Sequence, residues 1–521
     1  MHPTAPIVLA TLNAKYIHAS LGLRYLLANM ARHGGEDLRA RSLLREFTIA
    51  RPAQQIADEL LALNPAIVGF GVYIWNVSQT AAVMRLLKAA RPGIKLVLGG
   101  PEVSHETGQQ AIVALADHVI TGWGDVSFPK LCQALLHGPR PLMKVIAGEQ
   151  PALDDIALPY AEYSDADLAH RLLYVEASRG CPFKCEFCLS SLDKTAWAFE
   201  LDALMAELDS LYRRGARHFK FVDRTFNLKV ENSLRILQFF LDRIGPDLFL
   251  HFEVVPDHLP DRLKAMIERF PAGVLQFEVG IQSFDVEVQQ RISRRQDNDR
   301  TEANLRWLLQ HSSAHLHADL IFGLPGETLA GFAAGFDRLY AIGPHEIQLG
   351  ILKRLRGTPI ARHTAGHGMV YDPEPPYTVR QTAAVDADTM QRFARLARYW
   401  DLVANSGRFG RTLPLLLQGP SAFDAFLAFS DWLWLRQGAT ARLTPEHLVD
   451  ALHDYLIHER QCDAATVQNL LRDDYVDSGA RARPASLRAL LPPQGAPVAR
   501  AARARAERQA RHGAAQSKIE T

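Results

Sequence analysis

Arg179-Gly180-Cys181-Pro182-Phe183-Lys184-Cys185-Glu186-Phe187-Cys188 gathers three thiols within eight residues of a 521-residue chain whose only other cysteines are Cys132 and Cys462. Thiolates on so short a loop can hold three irons of a four-iron cluster and leave the fourth iron without a protein ligand, open for chemistry. A zinc knuckle would need a fourth thiolate or imidazole in a tetrahedral set. The nearest histidines, His170 and His218, stand at no usual finger spacing. A disulfide would leave one thiol of the three over. The loop is read as a metal or cluster site with Cys181, Cys185 and Cys188 as ligands, and the choice of a [4Fe–4S] cluster over zinc or a disulfide comes from the resemblance that follows.

The C-x3-C-x2-C spacing, with Phe187 before its last cysteine, resembles the cluster loop of the radical S-adenosylmethionine (SAM) superfamily. The resemblance implies that SAM chelates the open iron and is cleaved reductively to a 5'-deoxyadenosyl radical, with Phe187 beside the adenine. Downstream of the loop, strand-like runs alternate with helical segments: Leu172 to Glu176, His218 to Asp223, Leu248 to Val255, Gly273 to Gly280, His315 to Phe322 and Glu346 to Leu352. Such repeats build a parallel sheet that closes toward a barrel, with the chemistry at the carboxyl ends of the strands. The resemblance makes this a partial (β/α)6 TIM-like barrel over residues 171–360.

Further motifs sharpen the likeness. Phe277-Glu-Val-Gly-Ile-Gln-Ser283 and Ala318-Asp-Leu-Ile-Phe-Gly-Leu-Pro-Gly-Glu-Thr328 resemble the fourth and fifth barrel strands of the branch that includes oxygen-independent coproporphyrinogen dehydrogenases and methylthiotransferases. The implied SAM contacts are Asp223 at the amine, supplemented by Thr225 or Asn227, then Glu278 and Gln282 on one face of a strand, Gly323 near adenine and ribose, and Arg294 at the carboxylate. Arg291 and Arg295 rival Arg294. Lys353 and Arg356, in the barrel exit, read either as substrate contacts or as solvated charges.

Upstream, residues 1–148 alternate short apolar runs (Ile7 to Thr11, Ile67 to Ile74, Lys95 to Leu98, His118 to Thr121) with amphipathic segments. That pattern gives a doubly wound, Rossmann-like sheet that binds ligands in loops at the carboxyl ends of its strands. Gly99-Gly100-Pro101 and Gly122-Trp123-Gly124-Asp125 resemble the turns of the cobalamin-binding domain that precedes the barrel in one branch of the superfamily. The implied cobalamin contacts are Asn13, Tyr73, Gly99, Gly100, Pro101 and Gly122, without the D-x-H-x-x-G motif and its axial histidine. A sheet of this shape that binds another ligand stays open as the alternative.

Residues 149–170, rich in Pro, Asp and Ala, read as a linker, and residues 361–478 as a small helical domain in which Trp400, Trp432 and Trp434 pack. Residues 479–521, dominated by Pro, Ala and Arg, read as disordered. A net charge of +1 offers no global field for nucleic acid or an acidic membrane. The longest apolar stretch, Leu61 to Trp75, is interrupted and too short for a membrane helix. Scarce cysteine and no export signal place the chain in a reducing cytoplasm. The α/β architecture as a whole leads to a cobalamin-dependent radical SAM methyltransferase acting on a small-molecule or peptide substrate, with an electron donor such as flavodoxin or ferredoxin. A radical rearrangement or cyclisation, and a non-catalytic cobalamin- or redox-responsive protein, are the alternatives.

Overall fold

A computed structural model describes residues 6–193, 196–245, 247–480 and 482–491. Two compact units divide the chain: residues 1–253 with 353–362 and 371–378, and residues 254–352 with 363–370 and 379–521.

In the first unit, strands β1 (Ile7–Asn13), β2 (Ser42–Thr48), β3 (Ile67–Gly71), β4 (Lys95–Gly99), β5 (His118–Thr121) and β6 (Val145–Ala147) form one sheet in the order β2-β1-β3-β4-β5-β6. Every pairing in it is parallel. β1 is buried along its whole length. Its alternate residues feed two separate cores: Val8, Ala10 and Leu12 with Ile56, Leu60 and Met84 on one face, Ile7 and Leu9 with Leu23, Leu27 and Phe128 on the other. Burial on both faces explains why its sequence is an apolar run rather than an alternation. The strand order reverses between β1 and β3, and such a switch point opens a crevice at the carboxyl ends of those strands. β2 is not legible as a strand, because Arg45 and Glu46 break its apolar run; it is an edge strand whose Glu46 pairs with Arg24 and Arg171 while Arg45 donates to the Leu44 carbonyl.

The same unit continues through strands β7 (Leu173–Val175), β8 (Ser178–Arg179), β9 (Trp197–Ala198), β10 (His218–Phe221) and β11 (Phe249–Val254). β7, β10 and β11 pair in parallel, while β8 and β9 form a short antiparallel pair that brackets the cysteine loop. The residues expected as linker are partly helical, with a capping box at Ser164 and Asp167 opening the helix Asp165–His170.

The second unit holds β12 (Leu275–Gln282), β13 (His315–Phe322) and β14 (Glu346–Ile351), parallel neighbours in chain order. Within each unit these strands run in chain order, β7-β10-β11 in the first and β12-β13-β14 in the second, as β/α repeats wound in one direction do. The helices from Ala387 to Asp477 belong to this unit. Trp400 lies edge-on to Phe336, their ring centres 4.9 Å apart, and its indole donates to the Ile347 carbonyl of β14 at 2.8 Å. Asn405 clasps both backbone groups of Ile347. Of the tail, residues 482–491 are described and include buried Leu487, with Ser486 held by Asp450; residues 492–521 lie outside the described residues.

Candidate functional site

The cysteine loop is a tightly bonded turn. Cys181 and Cys185 are buried, while Cys188 and Phe187 are half-buried. The Cys181 amide donates to the Asp193 carbonyl at 3.1 Å, and the Ser191 hydroxyl donates to the carbonyls of Cys185 and Cys188 at 2.9 and 2.6 Å. Burial raises the Cys181 thiol above its ordinary pKa, and the neighbouring Cys188 and Cys185 push the same way. Among the described residues no three His, Cys, Asp or Glu side chains gather as ligands of a single ion. A cuboidal cluster needs a different arrangement, one thiolate on each of three separate irons. Glu186, buried within the loop, anchors it further: its carbonyl accepts from the Ile360 amide at 3.0 Å, and its carboxylate pairs with Arg362.

Asp223, expected at the SAM amine, is turned to the protein. Its two oxygens accept from the Ala177 amide at 2.9 Å and the Ser178 hydroxyl at 2.5 Å, which ties the end of β10 to the strand leading into the cysteine loop. Burial, with Glu176 nearby, pushes its pKa up to about 7. Beside it a small cavity is lined by Asp223, Thr225, Lys229 and Asn232. Asn227 is buried at the same strand end.

In the second unit, Glu278, Gly280 and Gln282 are the half-buried residues of β12, between buried Phe277, Val279 and Ile281, and the pairing with β13 shifts register between Gly280 and Gln282, where Gln282 takes φ +69°. Among the described residues the buried Gln282 Oε1 meets no hydrogen-bond donor, which suits a ligand that donates. Of the three rival arginines, Arg294 reaches this strand: it donates to the Gly280 carbonyl and to Gln296 Oε1. Arg291 pairs with Glu287 one helical turn away, and Arg295 is exposed. Gly323 has a role the sequence did not show. A Cβ there would lie 2.7 Å from Val379 Cγ1 and 3.1 Å from Met390 Cε, so close packing, not adenine, is what its surroundings demonstrate.

Glu327, in the same turn, was not singled out from sequence. It is fully buried and accepts from the amides of Gly323 and Leu324 at 2.9 and 3.3 Å. Burial pushes its pKa up to about 8, so the folded chain holds a proton that the unfolded chain releases near the ordinary carboxylate value. The sign follows: folded stability falls as pH rises from the unfolded pKa through about 8. Glu327→Gln is expected to keep the amide bonds through its carbonyl oxygen and to flatten that fall, checked by Tm against pH for both proteins.

At the switch point, the sheet loops carry the groups expected at cobalamin. Tyr73 and Trp75 stack 4.4 Å apart, and Trp75 is 47% exposed. Exposed Tyr16 and Ile17 in the loop after β1 add to this apolar rim, of the kind a large flat ligand covers. The Asn13 amide donates to the His18 carbonyl at 2.8 Å and to Glu46 at 3.0 Å, so it also braces the loop. Asn76 braces the neighbouring loop, donating to the Leu12 and Gly71 carbonyls. Gly100 is required by geometry, at φ +107° with a Cβ position 2.5 Å from the Val72 carbonyl oxygen. The Gly99 carbonyl accepts from the Val72 amide, and Pro101 opens a short turn behind it. Around Gly122 the space a side chain would fill is open, which leaves its backbone approachable.

Several acids of these loops engage arginines far away in sequence. Glu102 and Glu106 receive Arg356 at 2.9 and 3.2 Å, and Arg354 binds Glu106 at 3.1 Å, so Arg356 is neither a solvated charge nor free for substrate. Asp125 receives both terminal nitrogens of Arg179 at 3.0 and 3.3 Å. Nothing in the order of residues hints at these pairings, since charged residues default to solvent.

Comparison with known proteins agrees with this arrangement. The model of the radical SAM superfamily matches residues 175–338, that of the B12 binding domain residues 7–132, and a domain described only as a protein of unknown function, DUF4080, residues 365–511. The cobalamin-dependent radical SAM methyltransferase TokK of Streptomyces tokunonensis is 25% identical over 345 residues, 59% of this chain and 49% of TokK. An uncharacterized methyltransferase, PH0819 of Pyrococcus horikoshii, is 29% identical over 252 residues, 43% of this chain and 53% of its own length. The chain thus spans about half the length of these curated relatives. Among solved structures, the cobalamin-dependent SAM radical enzyme OxsB superposes with a TM-score of 0.62 at 13% identity, covering 91% of this chain and 79% of OxsB. The radical SAM methyltransferase TsrM of Kitasatospora setae gives 0.57 at 18% identity, covering 74% and 81%. These likenesses establish the fold.

Proposed function

We propose that this chain, which joins a B12 binding domain to a radical SAM domain, is a cobalamin-dependent radical SAM enzyme that methylates an unactivated carbon of its substrate. When bound, a [4Fe–4S] cluster and SAM supply a 5'-deoxyadenosyl radical for hydrogen abstraction, and cobalamin supplies the methyl group. Cys181, Cys185 and Cys188 would hold the cluster, with Phe187 beside them. Gln282 and Arg294 offer a buried acceptor and a guanidinium to the polar end of SAM. The rim of Tyr73, Trp75 and the Gly99-Gly100-Pro101 and Gly122 turns would receive the corrin, while Asn13 and Asn76 keep its loops in place.

The observation that carries the reading is a three-cysteine loop and a doubly wound sheet with an exposed apolar switch-point rim within one compact unit. No described helix is long and apolar enough to cross a membrane. A low-potential one-electron donor, such as flavodoxin or ferredoxin, and a reducing cytoplasm complete the proposal.

The test is anaerobic reconstitution with iron, sulfide and hydroxocobalamin, followed by incubation with SAM and titanium(III) citrate. Expected are about four irons and one corrinoid per chain, with 5'-deoxyadenosine and S-adenosylhomocysteine both formed. Formation of 5'-deoxyadenosine without S-adenosylhomocysteine would turn the reading toward a rearrangement. Absence of 5'-deoxyadenosine would turn it toward a binding protein.

A further inference from the structure

Arg179 is the second residue before Cys181, and almost all of it is inside the protein, with its side chain 13% exposed. One edge of its guanidinium meets Glu176 at 2.9 Å. The other edge makes the paired contact with Asp125, in the loop after β5. Its plane lies among three rings: Tyr25 at 4.3 Å, Trp123 at 4.8 Å and Phe199 at 5.4 Å. Tyr25 and Phe199 stack on each other 6.0 Å apart. A single cation therefore joins the B12-domain helix Leu21–Gly34, the Gly122-Trp123-Gly124-Asp125 turn and the strand that enters the cysteine loop.

Burying a charge among two carboxylates and three aromatic rings has a desolvation cost that plain apolar packing would avoid. Such a cluster is specific in direction, because a planar fork accepts partners only along its edges and faces. We propose that Arg179 is a positioning residue that fixes the cysteine loop against the loop after β5, so that the cluster and the corrinoid are carried as one body. The proposal rests on the function given above for what the two loops carry, and on the described geometry alone for the clamp itself.

Arg179→Lys keeps the positive charge and loses the fork, whereas Asp125→Asn keeps the shape and loses the charge pair. The first experiment uses the full chain without cofactors and measures amide hydrogen exchange. Exchange in residues 176–188 is expected to quicken about tenfold or more in both variants, with β1 and β3 unchanged. The second loads parent and variants with cluster and cob(II)alamin, reduces the cluster, and measures the distance distribution between the two paramagnetic centres by pulsed EPR. A narrow distribution in the parent that broadens in both variants, at unchanged iron and corrinoid content, supports the clamp. Unchanged exchange together with an unchanged distribution overturns it, as does loss of iron from both variants, which would make Arg179 a determinant of cluster retention. If the parent itself takes up neither centre, the proposed function fails and the exchange experiment still decides the role of Arg179.

Discussion

Cys185→Ala is expected to abolish retention of iron and all formation of 5'-deoxyadenosine while leaving the fold intact. The side chain is small, and its loss removes little buried area, at a cost of about 1 kcal/mol. The turn around it is held by backbone: the Cys185 carbonyl accepts from Ser191 Oγ at 2.9 Å and from the Cys188 amide at 3.1 Å, and neither bond uses the thiol. Two remaining thiolates cannot ligate three irons. Cys132→Ala and Cys462→Ala serve as controls. Cys132 is wholly buried in a core of Leu27, Met30 and Leu131, where burial pushes its thiol pKa far up and keeps it inert. Iron and sulfide analysis, the visible absorbance of the cluster and the Tm of the cluster-free proteins separate the outcomes: Cys185→Ala loses colour while its Tm falls by only a few degrees, and the controls keep their colour. Full cluster content in Cys185→Ala would remove the loop from the chemistry.

The largest expected effect on stability lies at Arg24. Its side chain is 1% exposed and donates to Glu46 at 2.8 Å and to Asp167 at 2.9 Å, with the Tyr163 ring beneath it at 4.5 Å. Glu46 is a hub that also accepts from Asn13, the Ser20 amide at 2.6 Å and Arg171 at 3.0 Å. Arg24→Met fills the space and leaves two buried carboxylates short of a cation, which costs about 3–5 kcal/mol. Urea unfolding monitored by tryptophan fluorescence measures it as a lower midpoint. The double variant Arg24→Met with Glu46→Gln is expected to recover part of the loss, because the second change withdraws one of the two carboxylates left to share Arg171. A midpoint within about 0.5 kcal/mol of the parent, the range of an ordinary surface substitution, would show that the network carries no net energy.

What could be read from residues alone was local. The strands His118–Thr121 and His315–Phe322 stand where the apolar runs placed them, because each run is bounded by polar or turn residues. The cysteine loop is local by nature, with its ligands all within eight residues. The alternation of buried and half-buried residues from Phe277 to Gly280 follows from the period of a strand, whereas the irregularity just before Gln282, at φ +69°, has no signal in the residues alone. What escaped was pairing between distant charges. Arg179 with Asp125 spans 54 positions and Arg356 with Glu102 spans 254, and no periodicity encodes either. Asn13 and Asp223 were chosen as ligand contacts for sound chemical reasons, yet a short polar side chain at a strand end serves a neighbouring loop equally well. β2 was invisible because its Arg45 and Glu46 look solvated until the partners of Glu46 are known.

Residues 353–362 belong with the first 253 residues although 99 others intervene, and Arg354, Arg356 and Arg362 tie them to Glu106, Glu102 and Glu186. A chimaera that grafts the amino-terminal half of this chain onto a foreign partner at residue 253 would strand three acids without their cations. Exchange of halves between relatives, in the laboratory or by recombination, must therefore carry this returning segment along, which makes it part of the heritable module that begins at β1.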